Sequence, residues 1–442
     1  MSVDRRTFLA TSAAALPLLR RSVLVGSPDR MAWWREARFG MFVHWGLYSI
    51  LAGTWRGDER WAEWIRNNAE IPVGQYDRLV AEWSPTGFDP DRWAELAWRA
   101  GMRYVVLTTK HHDGFCLWPS TVGSFDVTAT PSPRDICAAL AKACRARGLR
   151  VGWYHSIMDW HHPDYLPRRP WEAESRPVGN ADYARYFRYL TAQVEELLTG
   201  YGPIDVLWFD GQWESTWTHQ LALELQGTIR RLAPGCLVND RINGSGRPDG
   251  VSLGDFGTPE NEIPETGTPG KDWESCVTMN DNWGYKQQDD QWKSPRRLAL
   301  MLIETVSKGG NLLLNVGPMG SGAFPVESVE RLEALGAWMA VHGDLLRGSS
   351  ASRFGDAARF RSTTQGRQAN LFVHDWRPGP LLLEGLAPAP VEAVLLHGDG
   401  RSAPLEIQAW PGAVAVILPA EAPASLVPCI RLRFAEEWRV GV

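Results

Sequence analysis

Cysteine is sparse in this chain, with six residues in 442, at positions 116, 137, 144, 236, 276 and 429. Their spacing is wide and irregular, and no C-x-x-C pair occurs, so the ligand spacing of a zinc site is absent. Cys137 and Cys144 fall on one predicted helix and are expected in the core. No run of basic residues is present, and the formal net charge is −5. That balance argues against a nucleic acid or an anionic membrane as partner. No internal repeat stands out. No stretch is long and apolar enough to span a bilayer.

What the chain has in excess is tryptophan, 23 residues in all. Much of it belongs in a core, and the surplus suits stacking on the apolar faces of sugar rings. Apolar residues make up 44% of the sequence, and 442 residues are more than one ordinary domain. At the N-terminus, Asp4-Arg5-Arg6-Thr7-Phe8-Leu9 precedes a short apolar run over residues 10–19. The run is too short for a membrane span and has the length of a signal h-region. The twin arginines resemble a Tat export signal, so residues 1–27 are assigned to targeting and the protein is expected outside the cytoplasm, in a periplasm or the medium.

Residues 28–347 carry a repeated strand–helix alternation. Strands are predicted over residues 39–44, 104–109, 149–155, 204–210, 236–240, 274–279 and 311–316. Helices are predicted over residues 91–100, 134–147, 181–198, 219–232, 294–307 and 327–342. Pro90 opens the first helix and Gly148 stops the second, each in the position that suits its backbone. Such alternation means a parallel sheet, and the number of units favours an eight-stranded α/β barrel over an open sheet. Residues 244–272 are rich in Gly, Pro, Asp and Glu, show no period, and read as a long loop of functional type. From residue 348 to 442 the texture changes to short apolar segments separated by Gly and Pro, which reads as an antiparallel β-sandwich.

Active-site residues of a barrel sit at the C-terminal ends of its strands. The run Ile204-Asp205-Val206-Leu207-Trp208-Phe209-Asp210-Gly211 ends a doubly buried strand on a carboxylate, with a glycine for the turn. The ordinary role of such an Asp is to cap the next helix. Other strand ends are also polar and aromatic: Val43-His44-Trp45-Gly46, Lys110-His111-His112-Asp113-Gly114 and Trp153-Tyr154-His155-Ser156. Four histidines at the same end of three strands are expected to converge on one cleft.

His44, His111, His112 and Asp210 are of residue types that bind metal and can be drawn as one ligand set. Neighbouring side chains on a strand face opposite ways, and neither H-x-H nor H-E-x-x-H occurs, so no metal or other cofactor is assigned. Neutral imidazoles bonded to sugar hydroxyls fit equally well. A glycosidase needs two carboxyl groups. Asp210 is one, and Glu260, Glu262, Glu265 and Glu274 are candidates for the other. Glu274 follows Trp273, an aromatic neighbour suited to raising the pKa of a general acid. Glu63, in Trp61-Ala62-Glu63-Trp64, is a further inward candidate.

Several long motifs, in order, resemble glycoside hydrolase family 29, the retaining α-L-fucosidases. They are the stretches over residues 34–49 and 104–118, Gly152-Trp153-Tyr154-His155-Ser156 with Asp159-Trp160, and Trp208-Phe209-Asp210-Gly211. Trp273-Glu274, Trp283-Gly284-Tyr285 and residues 308–318 continue the match. The resemblance implies an α/β barrel followed by a β-sandwich, and release of terminal α-L-fucose from a fucosylated glycan by double displacement. It places the nucleophile on Asp210 and the general acid/base on Glu274. It places fucose contacts on His44, Glu63, Trp64, His111, His112, Tyr154, Trp208 and Arg241. At strand three either Tyr154 or His155 faces the sugar. The rival readings are a metal-dependent barrel hydrolase and a fucose-binding protein without turnover. An oligomer is compatible with all three.

Overall fold

A computed structural model describes residues 29–441; the twin-arginine segment lies outside the described residues. Seven parallel strands form one sheet. They are β1 (Phe39–Val43), β2 (Tyr104–Lys110), β3 (Arg150–Ser156), β4 (Val206–Asp210), β5 (Leu237–Val238), β6 (Glu274–Thr278) and β7 (Asn311–Val316). Their spatial order is β5-β4-β3-β2-β1-β7-β6. All but one of their residues are buried, because helices cover the outer face and side chains fill the inner one. The helices start where capping chemistry dictates. Asp89, Asp135, Asp182, Thr218 and Ser294 each accept a backbone N–H of the first turn, and Pro90 and Pro295 follow two of these caps.

The chain between β5 and β6 completes the ring. Phe256 bridges Asn239 beside β5, while Gly257 and Glu260 bridge Trp273 and Cys276 on the β6 side, all in parallel sense. The Asp240 amide donates to the Phe256 carbonyl, and the Glu274 and Cys276 amides donate to the carbonyls of Gly257 and Pro259. Residues 255–261 therefore lie between the two edge strands as an irregular eighth stave, and the architecture is the (β/α)8-like barrel expected. The aperiodic loop expected over residues 244–272 is thus part wall. Gly254, Gly257 and Pro259 break the pattern that marks a strand.

One glycine shapes the barrel interior. A Cβ on Gly40 would lie 2.4 Å from the Tyr104 ring. Its absence lets that ring lie across β1, where its hydroxyl donates to the Glu274 carboxylate.

Beyond residue 348 the strands are antiparallel, as expected. A five-stranded and a three-stranded sheet enclose a second core that includes Leu371, Leu381, Leu383, Val416 and Leu432. The five-stranded sheet leans on the barrel through Phe372, whose ring lies 6.0 Å from that of Trp338, and through the Trp338 indole N–H donated to the Val427 carbonyl at 3.1 Å. All six cysteines are buried and unpaired, Cys137 and Cys144 on the helix Ile136–Ala146.

Candidate active site

The pocket opens at the C-terminal ends of the strands, where a barrel carries its chemistry. A cavity of about 110 Å³ is lined by Phe42, His44, Glu63, Trp64, His111, Tyr154, Trp208, Asp210, Trp213, Arg241, Glu260, Cys276 and Trp283. A space of that size, walled by rings and polar tips, takes one sugar ring rather than a chain. No residue of the C-terminal sheets contributes to it.

Asp210 ends β4, and Gly211 turns the chain at φ +90°, a conformation that favours glycine. A side chain there would also strike Met158, since a Cβ would lie 2.7 Å from its Cγ. The Asp210 carboxylate accepts the Tyr154 hydroxyl at 3.1 Å and the Arg241 Nη1–H at 2.8 Å. His112 Nε2 stands 3.5 Å from its second oxygen. Burial opposes ionisation of Asp210, but His112 and the Arg241 charge outweigh it and hold the carboxyl well below the usual carboxylate range. Arg241 lies 4.7 Å over the Trp208 ring, and its other terminal nitrogen donates to Glu260 Oε2 at 2.7 Å. The Trp283 indole N–H donates to Glu260 Oε1 at 3.1 Å. One guanidinium therefore joins two carboxylates across the pocket.

The rest of the wall is buried and oriented. His44 donates Nδ1–H to Asn315 Oδ1 at 2.7 Å, and the Asn315 amide is itself oriented by donating to the Trp283 carbonyl. Burial pushes the His44 imidazole down to about 3, against the hydrogen bond to Asn315, so its Nε2 offers a lone pair to a ligand hydroxyl. His111 is held well below the usual imidazole range, first by burial. Glu63 is buried, accepts the Gly284 amide at 3.0 Å, and has its pKa raised by burial. Tyr154 stacks on Trp208 at 5.7 Å and on His111 at 5.6 Å.

His44, Glu63, Trp64 and His111 all line this cavity, as do Tyr154, Trp208, Asp210 and Arg241. His112 is not among the lining groups and meets the site through Asp210. Tyr154 faces the pocket, whereas His155, one residue on, is fully buried near Trp118 on the opposite face. The alternation expected for His111 and His112 fails, because β2 ends at Lys110 after a register shift and the two rings lie 4.3 Å apart.

The expectation for Glu274 also fails. This residue opens β6 whereas Asp210 closes β4, and parallel strands put those positions at opposite ends. Its side chain is fully buried, does not line the pocket, and accepts the Tyr104 hydroxyl and, at 3.2 Å, the indole N–H of Trp208. It stands behind Trp208, outside the pocket. Burial raises its pKa to about 7, against the hydrogen bonds from Tyr104 and Trp208.

The folded protein thus prefers the neutral acid of Glu274. The associated stability is fully present below the unfolded value near 4.5 and is lost as pH rises through about 7. That shift corresponds to roughly 3 kcal/mol. Glu274→Gln, which mimics the neutral form, is expected to raise stability above neutral pH by up to that amount and to flatten its pH dependence between those limits. Urea midpoints measured across that pH window check this; an unchanged slope would reject it.

Among the groups at the site, Trp213 and Cys276 carried no signal in the sequence beyond their residue types. Glu260 was one candidate among four loop and strand carboxylates.

Comparisons with known proteins agree on one family. The family model described as Alpha-L-fucosidase matches residues 26–344. Tissue alpha-L-fucosidase of Bos taurus is 32% identical over 345 residues, covering 73% of this chain and 70% of its own. Alpha-L-fucosidase isoenzyme 1 from Paenibacillus thiaminolyticus superposes with a TM-score of 0.84 at 39% identity, over 92% of this chain and 99% of that one. A GH29 alpha-L-fucosidase from Bacteroides thetaiotaomicron has been captured as a covalent intermediate with 2-fluoro-fucosyl fluoride, using a Glu-to-Gln variant. It superposes with a TM-score of 0.82 at 29% identity, over 93% of this chain and 96% of that one.

Proposed function

Because this chain belongs to the α-L-fucosidase family, we propose that it releases terminal α-L-fucose with Asp210 as nucleophile and Glu260 as general acid and base. The observation that carries the assignment is the Arg241 guanidinium, bonded at once to both carboxylates at one pocket. Asp210 is kept ionised and attacks the anomeric carbon, while Glu260, on the eighth stave, protonates the departing oxygen. A water that gives its proton to Glu260 then cleaves the fucosyl–Asp210 ester, and the anomeric configuration is retained. His44, Glu63 and His111 bond the sugar hydroxyls, and Trp64, Tyr154 and Trp208 exclude water. A buried methyl contributes roughly 1 kcal/mol, so the hydroxyl contacts must supply most of the discrimination between sugars.

NMR of a fresh digest of an aryl α-L-fucoside is expected to show α-fucose first, with the β-anomer appearing only by mutarotation. Initial β-fucose would reject double displacement. Binding without turnover would favour the non-catalytic reading. For export, the reading rests on the twin arginines Arg5 and Arg6 with the apolar run after them. No helix among the described residues is long and apolar enough to cross a membrane.

A further inference from the structure

Asn315 is a buried polar residue that neither the chemistry nor the sugar contacts use, and it does not line the pocket. It lies near the end of β7, paired with Phe42 on β1 and Thr278 on β6. Its two amide atoms serve different neighbours. One stands 2.7 Å from His44 Nδ1, the other 2.7 Å from the Trp283 carbonyl oxygen. A carbonyl only accepts, so the atom facing Trp283 is Nδ2 with its hydrogens. The reverse orientation would set two acceptor oxygens against each other and leave both without a donor. Oδ1 is then what faces His44, and an oxygen of an amide can only accept there. The proton of the neutral imidazole is thereby fixed on Nδ1, and a sugar hydroxyl that meets Nε2 must donate.

Trp283 has other ties to the site. Its indole N–H donates to Glu260 at 3.1 Å, and its ring lies 5.1 Å from that of His44. The next residue, Gly284, gives its amide to Glu63 at 3.0 Å. Gly317, two residues past Asn315, makes room for this segment. A Cβ there would lie 2.7 Å from the Trp283 carbonyl oxygen and 2.8 Å from the Tyr285 amide nitrogen, both backbone atoms that cannot swing aside. The Trp283-Gly284 segment is therefore pressed onto the end of β7. From there it holds groups of three separate elements: His44 through Asn315, Glu260 through the indole, and Glu63 through a backbone amide.

We propose that Asn315 is a positioning residue that sets the tautomer of His44 and, by anchoring the Trp283 backbone, places the indole that holds Glu260. One amide thus couples the polarity of sugar recognition to the placement of the acid, without touching substrate. The inference rests on the reading of His44 as a sugar contact and of Glu260 as the general acid.

The test uses the full chain with ¹⁵N-labelled histidine, and the variants Asn315→Leu and Gly317→Ala. Long-range ¹⁵N–¹H spectra report which ring nitrogen carries the proton, and the His44 signal is assigned by its loss in His44→Gln. Wild type is expected to hold the proton on Nδ1. Asn315→Leu removes the acceptor and is expected to move most of the proton to Nε2. Gly317→Ala leaves Asn315 and His44 intact but displaces the Trp283 backbone, and is expected to give a mixture. On para-nitrophenyl α-L-fucoside, Asn315→Leu should lose about ten- to a hundredfold in kcat/KM. Both variants should also lower the ratio of kcat/KM for fucosyllactose over that substrate by roughly threefold or more, because a sugar leaving group needs the acid and a nitrophenolate needs it little. Loss of folded protein would lower both substrates alike and leave the tautomer unchanged. A wild-type proton on Nε2 overturns the proposal, whichever variants fold. So do a tautomer and a substrate ratio that neither variant moves, and with wild type active the fucosidase reading then still stands. Wild-type enzyme inert toward both substrates overturns that reading and the link to Glu260 with it.

Discussion

Replacing Asp210 with alanine is expected to cut kcat/KM on an aryl α-L-fucoside by at least about a thousandfold. The size of the effect follows from what the residue does and not from stability. Its carboxylate receives Tyr154 and Arg241 and is kept charged in a pocket where burial opposes ionisation. Without it no ester forms, and the remaining wall can only bind the sugar. Azide supplied in solution enters the vacated space on the nucleophile's face. The expected product is β-fucosyl azide, of inverted configuration. Activity within tenfold of wild type would remove Asp210 from the mechanism. Loss of activity with loss of fucose binding would mark the change as structural.

Asp210 was legible because three local signals coincide. An apolar run is long enough for a doubly buried strand, a carboxylate ends it, and a glycine takes the positive φ that the turn requires. The pocket's rings were legible for the same reason, since His44, His111 and Tyr154 also stand at strand ends. Glu274 shows where such reasoning stops. The Trp273-Glu274 pair does mark a carboxyl whose pKa is raised, but a raised pKa reports burial and says nothing about reach. Strand direction carries the missing information: a residue that opens a strand sits at the end of the barrel away from the chemistry. Residues 255–261 hid Glu260, the carboxylate that shares Arg241 with Asp210. Their pairing with the neighbouring strands is a set of isolated bridges, and a stave built from Gly, Pro and charged residues has no period of two to read. The histidine pair misled in the other direction, because alternation ends where the ladder ends, at Lys110.

Glu260 carries the second large effect, and its signature depends on the substrate. A sugar alcohol is a poor leaving group and needs a proton as the bond breaks, so Glu260→Ala is expected to lower kcat/KM on fucosyllactose by about 10²–10⁴-fold. A nitrophenolate leaves with little assistance, and the same variant should lose less than about tenfold in kcat/KM on the aryl fucoside, while its slow step shifts to hydrolysis of the ester. Azide needs no general base and attacks that ester from the face opposite Asp210. The product is α-fucosyl azide, of retained configuration, the mirror outcome to that of the Asp210 variant. Glu274→Gln should show neither signature: both substrates are affected in parallel, through Trp208, and azide restores nothing, because the Glu274 side chain is buried behind the indole and leaves the pocket walls in place. Azide rescue with retention in Glu274→Ala but not in Glu260→Ala would return the acid to β6. The Arg241 fork would then be a device for ordering Asp210 alone.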